Sequence, residues 1–193
     1  MLNNKLASYK VILGSTSPRR QQLLRDLQLE FSIEKREVEE RYPKYLHGSE
    51  ITDYLSELKA AAFEGYLKEG ELLITADTIV RFQGKVLGKP KDQQEATQML
   101  AALSGQVHEV ISSISLTTVE KQVTFHDTTR VFFKELSQEE INFYIEEYQP
   151  FDKAGAYGIQ EWLGYIAVEK LEGSYFNVMG FPVHKFYKEI LKF

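Results

Sequence analysis

Strand-like and helix-like hydrophobic periods alternate along this chain of 193 residues with no internal repeat, low-complexity tract or linker, and that alternation confines it to the α/β class. Lys10 to Leu13 reads as a first strand, Pro18 to Leu27 as a helix with Leu23, Leu24 and Leu27 on one side, and Phe31 to Val38 as a second strand. Ile51, Leu55, Leu58 and Ala62 recur at helical spacing and predict an amphipathic helix from about Ser49 to Leu67. Leu72 to Phe82 is the strongest strand. Asp92 with Glu95 predicts a capping box ahead of a helix carrying Met99, Leu100 and Leu103, with Gly105 placed to end it. Val107 to Val119 and Val123 to Phe133 are long β segments that can pair as a hairpin, so the sheet is expected to be mixed. Ser137 and Glu140 predict a second capping box before a helix over Ile141 to Glu147, and Gly180 to Phe193 a closing amphipathic helix.

Composition narrows the function. With 43% apolar residues the chain fills a real core, as one domain or one domain with a modest lobe. A net charge of −5 argues against a broad basic surface for coating nucleic acid, so an anionic ligand must be met locally. There is no cysteine, which excludes thiol catalysis, disulfides and thiolate metal sites. Met1-Leu2-Asn3-Asn4-Lys5 leads into no signal-like apolar region, and no apolar run approaches the roughly 20 residues a membrane helix needs. A soluble cytoplasmic protein is expected. The histidines at 47, 108, 126 and 184 show no metal-binding spacing, and neither a Walker loop, a G-x-S-x-G elbow nor a Rossmann glycine pattern occurs.

The run Val11-Ile12-Leu13 passes directly into Gly14-Ser15-Thr16-Ser17-Pro18-Arg19-Arg20. Ser17 suits an N-cap and Pro18 the first helical position. A helix start leaves backbone N–H groups unpaired and accepts a phosphate readily; the hydroxyls of Ser15 and Ser17 add donors, and Arg19 and Arg20 add charge. Taken alone, the segment fits a capped surface helix with two solvated arginines equally well.

A second constraint is the carboxylate of Asp77 inside Leu72-Leu73-Ile74-Thr75-Ala76-Asp77-Thr78-Ile79-Val80. Asp is disfavoured in strands, and an unpaired buried carboxylate is costly. Alternation puts Asp77 on the face of Leu73, Thr75 and Ile79, so it either marks the strand's end at a cleft or pairs with a cation. Other candidates have ordinary readings too. Lys59 sits on the shoulder of its helix's apolar stripe, where lysines snorkel, and Lys89 in Leu87-Gly88-Lys89-Pro90 suits a turn. Glu37, Glu39 and Glu40 suit a solvated face, and the small residues of Asp152-Lys153-Ala154-Gly155-Ala156-Tyr157-Gly158-Ile159-Gln160 a loop with close backbone approach.

Together these blocks resemble the Maf family of nucleoside triphosphate pyrophosphatases, from about Val11 to Phe186. Ser15-Thr16-Ser17-Pro18-Arg19-Arg20 is similar to the family's S-x-S-P-R-R signature, Ala76 to Val80 to its A-D-T-I-V strand, and Leu87 to Pro90 to its L-G-K-P turn. Asp152 to Gln160 is similar to the branch acting on dTTP and UTP, and Gly173-Ser174-Tyr175 and Gly180-Phe181-Pro182 fit the C-terminal pattern. Glu161-Trp162 departs from the small glycine-rich residues that follow in many relatives, and a reshaped rim of the base pocket is expected from it.

The resemblance implies a single domain over residues 1–193, a mixed twisted sheet flanked by helices in two lobes with a cleft between them, as in the inosine triphosphatase-like folds. It implies hydrolysis of dTTP and UTP, and of modified pyrimidine triphosphates, to monophosphate and pyrophosphate with Mg²⁺ or Mn²⁺. A housecleaning role in the nucleotide pool, a link to cell division arrest, a homodimer and no stable nucleic-acid partner go with it. By residue matching, Asp77 takes the proton-acceptor role, Arg19, Thr78 and Gln160 the specificity roles, and Ser15, Lys59 and Lys89 the phosphate side, with Ser17 and Arg20 in the same turn. Glu40 matches an acidic position and, with Asp77, the metal site. Residue chemistry leaves Asp77 open as base or metal ligand, and allows Gln160 to pair with the O4 and N3–H edge of uracil or thymine. A non-catalytic phosphoanion-binding regulator is the alternative reading.

Overall fold

The computed structural model describes residues 2–193. The helices are α1 (Leu2–Leu6), α2 (Pro18–Asp26), α3 (Ser49–Ala61), α4 (Gln93–Leu103), α5 (Gln138–Tyr148), α6 (Trp162–Ala167), α7 (Tyr175–Val178) and α8 (Val183–Lys192). The strands are β1 (Lys10–Leu13), β2 (Ser32–Ile33), β3 (Glu71–Phe82), β4 (Lys85–Leu87), β5 (Val107–Thr117), β6 (Gln122–Phe133) and β7 (Val168–Glu172). They hydrogen-bond in the order β2-β1-β3-β5-β6-β7, with β4 on β3. β1 runs parallel to β2 and β3, whereas β4 is antiparallel to β3 and β7 to β6, which makes the seven-stranded sheet mixed. The chain divides into two compact units. The first holds residues up to Asp77, Ser112–Asp127 and Gly180–Phe193; the second holds Thr78–Ile111 and Thr128–Met179.

In the first unit β1 meets β3 with Leu13 opposite Ile74. The β structure expected over Phe31 to Val38 shrinks to Ser32–Ile33, because its partner β1 ends at Leu13 and the last rung is Glu34 N–H to the Leu13 carbonyl at 3.1 Å. Side-chain stacking replaces the ladder there: the Arg36 guanidinium lies 3.6 Å from the Tyr66 ring centroid and 5.0 Å from that of Phe63. The helix expected to reach Leu67 stops at Ala61. Beyond it the chain continues in tight turns, Phe63 N–H to Ala60 and Tyr66 N–H to Phe63, that place Phe63 and Leu67 on Ile12, Ala60 and Leu73. α8 buries Phe186 and Ile190, one turn apart, and α1 packs on it.

In the second unit α4 buries Ala96, Met99, Leu100 and Leu103, the spacing of one helical face, and α5 contributes Ile141, Tyr144 and Ile145 to the same core. The Ser137–Glu140 capping box forms in full. Its counterpart forms by half: Asp92 accepts from Glu95 N–H, but the Glu95 carboxylate takes the Lys91 N–H instead of that of Asp92. Gly105 lies just past the end of α4 in left-handed conformation, φ 67°, with its N–H on the Lys134 carbonyl.

His108 is buried in this core, edge-on to Phe133 and Tyr157, with Nε2 2.7 Å from the Tyr157 hydroxyl. Burial pushes its pKa down from 6.5 to about 4. The unfolded chain therefore takes up this proton first, so the stabilisation is intact above about pH 6.5 and is lost as pH falls toward 4. At the acid end of that window the loss amounts to about 3 kcal/mol. Replacing His108 by Gln should flatten the fall in urea-unfolding free energy between pH 6.5 and 4; equal slopes for both proteins would show that another group carries the acid sensitivity.

Candidate active site

The first cluster belongs to the first unit. Ser17 caps α2, its hydroxyl accepting from Arg20 N–H at 3.5 Å, and Pro18 opens the helix. Ser15 Oγ accepts from Ser17 N–H at 3.2 Å and from the Arg20 guanidinium at 3.3 Å, which ties the turn before α2 to Arg20. Arg20 also donates to the Ala76 carbonyl at 2.9 Å and to the Gly180 carbonyl at 3.0 Å. It is a brace that fastens the α2 turn to β3 next to Asp77. Arg19, on the same turn, is half-buried.

Asp77 is buried and its Oδ1 lies 2.5 Å from Lys59 Nζ, which is also 3.1 Å from Glu40 Oε1. The alternation of β3 and the pitch of α3 explain the pairing. Thr75 donates to the Ser56 carbonyl at 2.7 Å, and one step further along both elements, two residues on in the strand and three in the helix, Asp77 meets Lys59. Burial pushes the Asp77 carboxyl above its ordinary pKa, further than Lys59 and Arg20 pull it back, and Glu40 adds to the rise. Burial likewise depresses Arg20, opposed by Asp77.

A cation between Asp77 and Glu40 is favourable, since Lys59 already supplies one. Among the described residues no group of three or more His, Asp or Glu side chains is arranged to hold a metal ion by itself. These two carboxylates fit a divalent ion that takes its other ligands from a phosphate chain, the usual setting for Mg²⁺.

The second cluster belongs to the second unit and gathers three separate sequence blocks. Gly155 N–H donates to the Gly88 carbonyl at 3.0 Å, tying the turn of Lys89 to the 152–160 segment. Gly155 has φ 69°, and a Cβ there would lie 3.0 Å from Val80 Cγ2, so only glycine meets both the conformation and the approach to β3. Lys89 is exposed, Thr78 and Gln160 are half-buried, and Gln160 Oε1 is buried with no hydrogen-bond partner among the described residues.

At Glu161 and Trp162, where the sequence departs from many relatives, both side chains are anchored. Glu161 turns inward, pairing through Oε1 with Lys153 at 3.0 Å and through Oε2 with the Tyr144 hydroxyl, while Trp162 opens α6 and packs edge-on against Phe143. Tyr144 escaped the sequence reading because a core tyrosine on a helix carries no local signal of its partners.

Replacing Lys59 by Met should destabilise the fold by about 3 kcal/mol, because it strands a buried carboxylate. Adding Asp77→Asn should recover most of that loss; in urea unfolding, equal stability of the single and double variants would show that the pair carries no buried-charge energy.

The sequence profile of the Maf-like proteins matches residues 10–193. A Flavobacterium johnsoniae protein named dTTP/UTP pyrophosphatase is 56% identical over 188 residues, covering 97% of each chain. Proteins of the same name from Flavobacterium psychrophilum and Bacteroides thetaiotaomicron are 50% and 49% identical, covering 99% and 100% of this chain and 98% and 100% of theirs. A solved structure of the Staphylococcus aureus Ham1 protein overlaps more loosely, with a TM-score of 0.45 and 12% identity over 64% of this chain and 71% of that one. With a family match that takes in both clusters, the chain belongs to the Maf family.

Proposed function

We propose that the protein is a nucleoside triphosphate pyrophosphatase that hydrolyses dTTP and UTP to the monophosphate and pyrophosphate. The names of relatives at 45–56% identity over nearly the full chain support the substrate class. The observation that carries the chemistry is the buried Asp77 carboxylate, raised in proton affinity and held by Lys59 beside the capped start of α2.

In this reading a water molecule attacks the α phosphorus, its proton passes to Asp77, and the bond to the β phosphate breaks with the electron pair leaving on pyrophosphate. Ser15, Ser17, Arg19, Lys59 and Lys89 bind phosphate oxygens whose charge grows in the transition state, and Arg20 holds the turn while contributing its charge. A phosphate that shares Lys59 loosens its hold on Asp77, which makes Asp77 a stronger proton acceptor when substrate is bound. Mg²⁺ or Mn²⁺, held by Asp77 and Glu40 with the substrate's phosphates, would supply further neutralisation. Gln160 reads the pyrimidine edge, aided by Arg19 and Thr78. Its amide carries both a donor and an acceptor, the pair needed for the O4 and N3–H edge of uracil or thymine.

The reading is completed by one Maf-like domain acting as a homodimer in the cytoplasm on the nucleotide pool. The net charge of −5 supports the lack of a nucleic-acid partner. No helix among the described residues is long and apolar enough to cross a membrane.

Pyrophosphate release from dTTP with Mg²⁺ is the direct test, and binding without release would leave a phosphoanion-binding protein instead. Asp77→Asn should fold and lose about 10²–10⁴ in turnover; near-normal turnover in the folded variant removes Asp77 as proton acceptor. EDTA should abolish activity and Mg²⁺ or Mn²⁺ restore it.

The two clusters should also respond differently. Gln160→Ala should narrow the gap in kcat/KM between dTTP or UTP and the purine triphosphates, whereas Lys89→Ala should depress all triphosphates by a similar factor. A uniform loss in Gln160→Ala would take Gln160 out of base reading.

A further inference from the structure

We propose that Ser115 and Thr124 are positioning residues for Lys59: through Ser56 they fix where α3 stands on the sheet, and so how closely the ammonium meets Asp77. The consequence for catalysis rests on the reading that Asp77 accepts the water proton; the placement of Lys59 does not.

The face that α3 turns to the sheet is polar where a core is ordinarily apolar. Thr52, Ser56 and Lys59 follow one another at the spacing of a single helical face. Ser113 and Ser115 of β5 meet them, as do Thr75 and Asp77 of β3, each two residues apart on one side of its strand. Thr52, Ser56, Thr75, Ser113 and Ser115 are fully buried, and the whole seam belongs to the first unit.

Three polar rungs cross it. In the outer rung Ser113 Oγ lies 2.6 Å from both Thr52 Oγ1 and Asp53 Oδ1, and His126 of β6 closes on the same carboxylate, Nδ1 to Oδ2, at 3.0 Å. In the middle rung Ser56 Oγ is 3.1 Å from Ser115 Oγ, which is 2.7 Å from Thr124 Oγ1 of β6. The inner rung is the pair of Lys59 and Asp77.

Counting protons orders the middle rung, because each hydroxyl has only one to give. Ser56 donates to the Asp53 carbonyl at 2.8 Å, so Ser115 donates to Ser56 and Thr124 to Ser115. The Ser56 carbonyl accepts from Thr75 at 2.7 Å. A single residue of α3, one turn before Lys59, is therefore held by its side chain to β5 and by its backbone to β3. Apolar packing would press the helix on the sheet without direction, whereas hydrogen bonds weaken steeply as distance and angle change. Lys59 reaches Asp77 on a flexible four-carbon stem, so the helix carries the accuracy that the side chain lacks.

Ser115→Ala and Thr124→Val each break the middle rung without altering α3, Lys59 or Asp77. Valine suits the half-buried strand position of Thr124, and that variant serves if Ser115→Ala does not fold. The charged groups facing Asp77 are Lys59, Arg20 and Glu40: burial raises its pKa, Lys59 opposes the rise more than Arg20 does, and Glu40 adds to it. A looser Lys59 leaves the rise less opposed. The Asp77 titration midpoint, followed by carboxyl-carbon NMR and assigned with Asp77→Asn, should move up by roughly one pH unit in both variants. The acid limb of kcat/KM against pH should follow it.

Ile190→Val, which thins the buried face of α8 in the same unit, should cost stability and leave the midpoint in place. An unchanged midpoint in Ser115→Ala and Thr124→Val overturns the positioning role, whatever the turnover. A midpoint that moves while the acid limb stays supports the positioning role and removes Asp77 as proton acceptor.

Discussion

The contact between Asp77 and Lys59 is the constraint on which the first unit's cluster depends. Asp77 is 5% exposed, at a depth where an uncompensated carboxylate would be expelled or protonated. Its cation comes from a helix whose register on β3 is set one step earlier by the Thr75 hydroxyl on the Ser56 carbonyl. Glu40 joins the same ammonium from a segment with little regular structure. Moving α3 by one residue would carry Lys59 about 100° around the helix and leave the strand with an unpaired charge. The α2 turn depends on the same place, because Arg20 reaches the Ala76 carbonyl, the residue before Asp77.

In the second unit the corresponding constraint is a loop held rigid by polar contacts inside an apolar core. The segment from Lys153 to Glu161 closes on itself through their ion pair. Its middle is fastened by Tyr157 to His108, its backbone by Tyr144 to Gly158, and its start by Gly155 to Gly88. Two residues there, Gly155 at φ 69° and Ala156 at φ 61°, adopt left-handed backbone, and for alanine that conformation is unfavourable. Such strain persists where surrounding contacts over-determine the chain, and it is common at sites that must present a side chain in one orientation.

Features decided within a few residues were legible in the sequence. Ser17 and Pro18 announced the start of α2, Ser137 and Glu140 that of α5, and a lone carboxylate in an apolar strand marked Asp77. Features decided by packing were not. α3 stops early because Phe63 and Leu67 turn onto Ile12 and Leu73, and helical periodicity has no term for that choice. Glu95 had two N–H groups in reach and took that of Lys91. At the site, Arg20 and its Gly180 partner stand 160 positions apart, and Tyr144 and Glu161 17 apart. The departure at Glu161 was visible locally, whereas its partners Lys153 and Tyr144 were not.

One physical feature then serves two ends in opposition. The burial that raises the proton affinity of Asp77 suits it to accept a proton from water, and it also makes the charged form costly to the folded chain. Lys59 relieves the cost but lowers the basicity, so a permanently tight pair would be stable and a poor base. In the proposed reaction a negatively charged ligand would resolve the conflict by competing for the ammonium: Lys59 offsets Asp77 in the free protein and would offset phosphate in the complex. The balance requires a cation that can be shared, and an ammonium with three donors on a flexible stem can turn from carboxylate to phosphate where a planar guanidinium fixed by bidentate contacts would not. Arg20, spread over Ser15, Ala76 and Gly180, fills the fixed role and Lys59 the movable one.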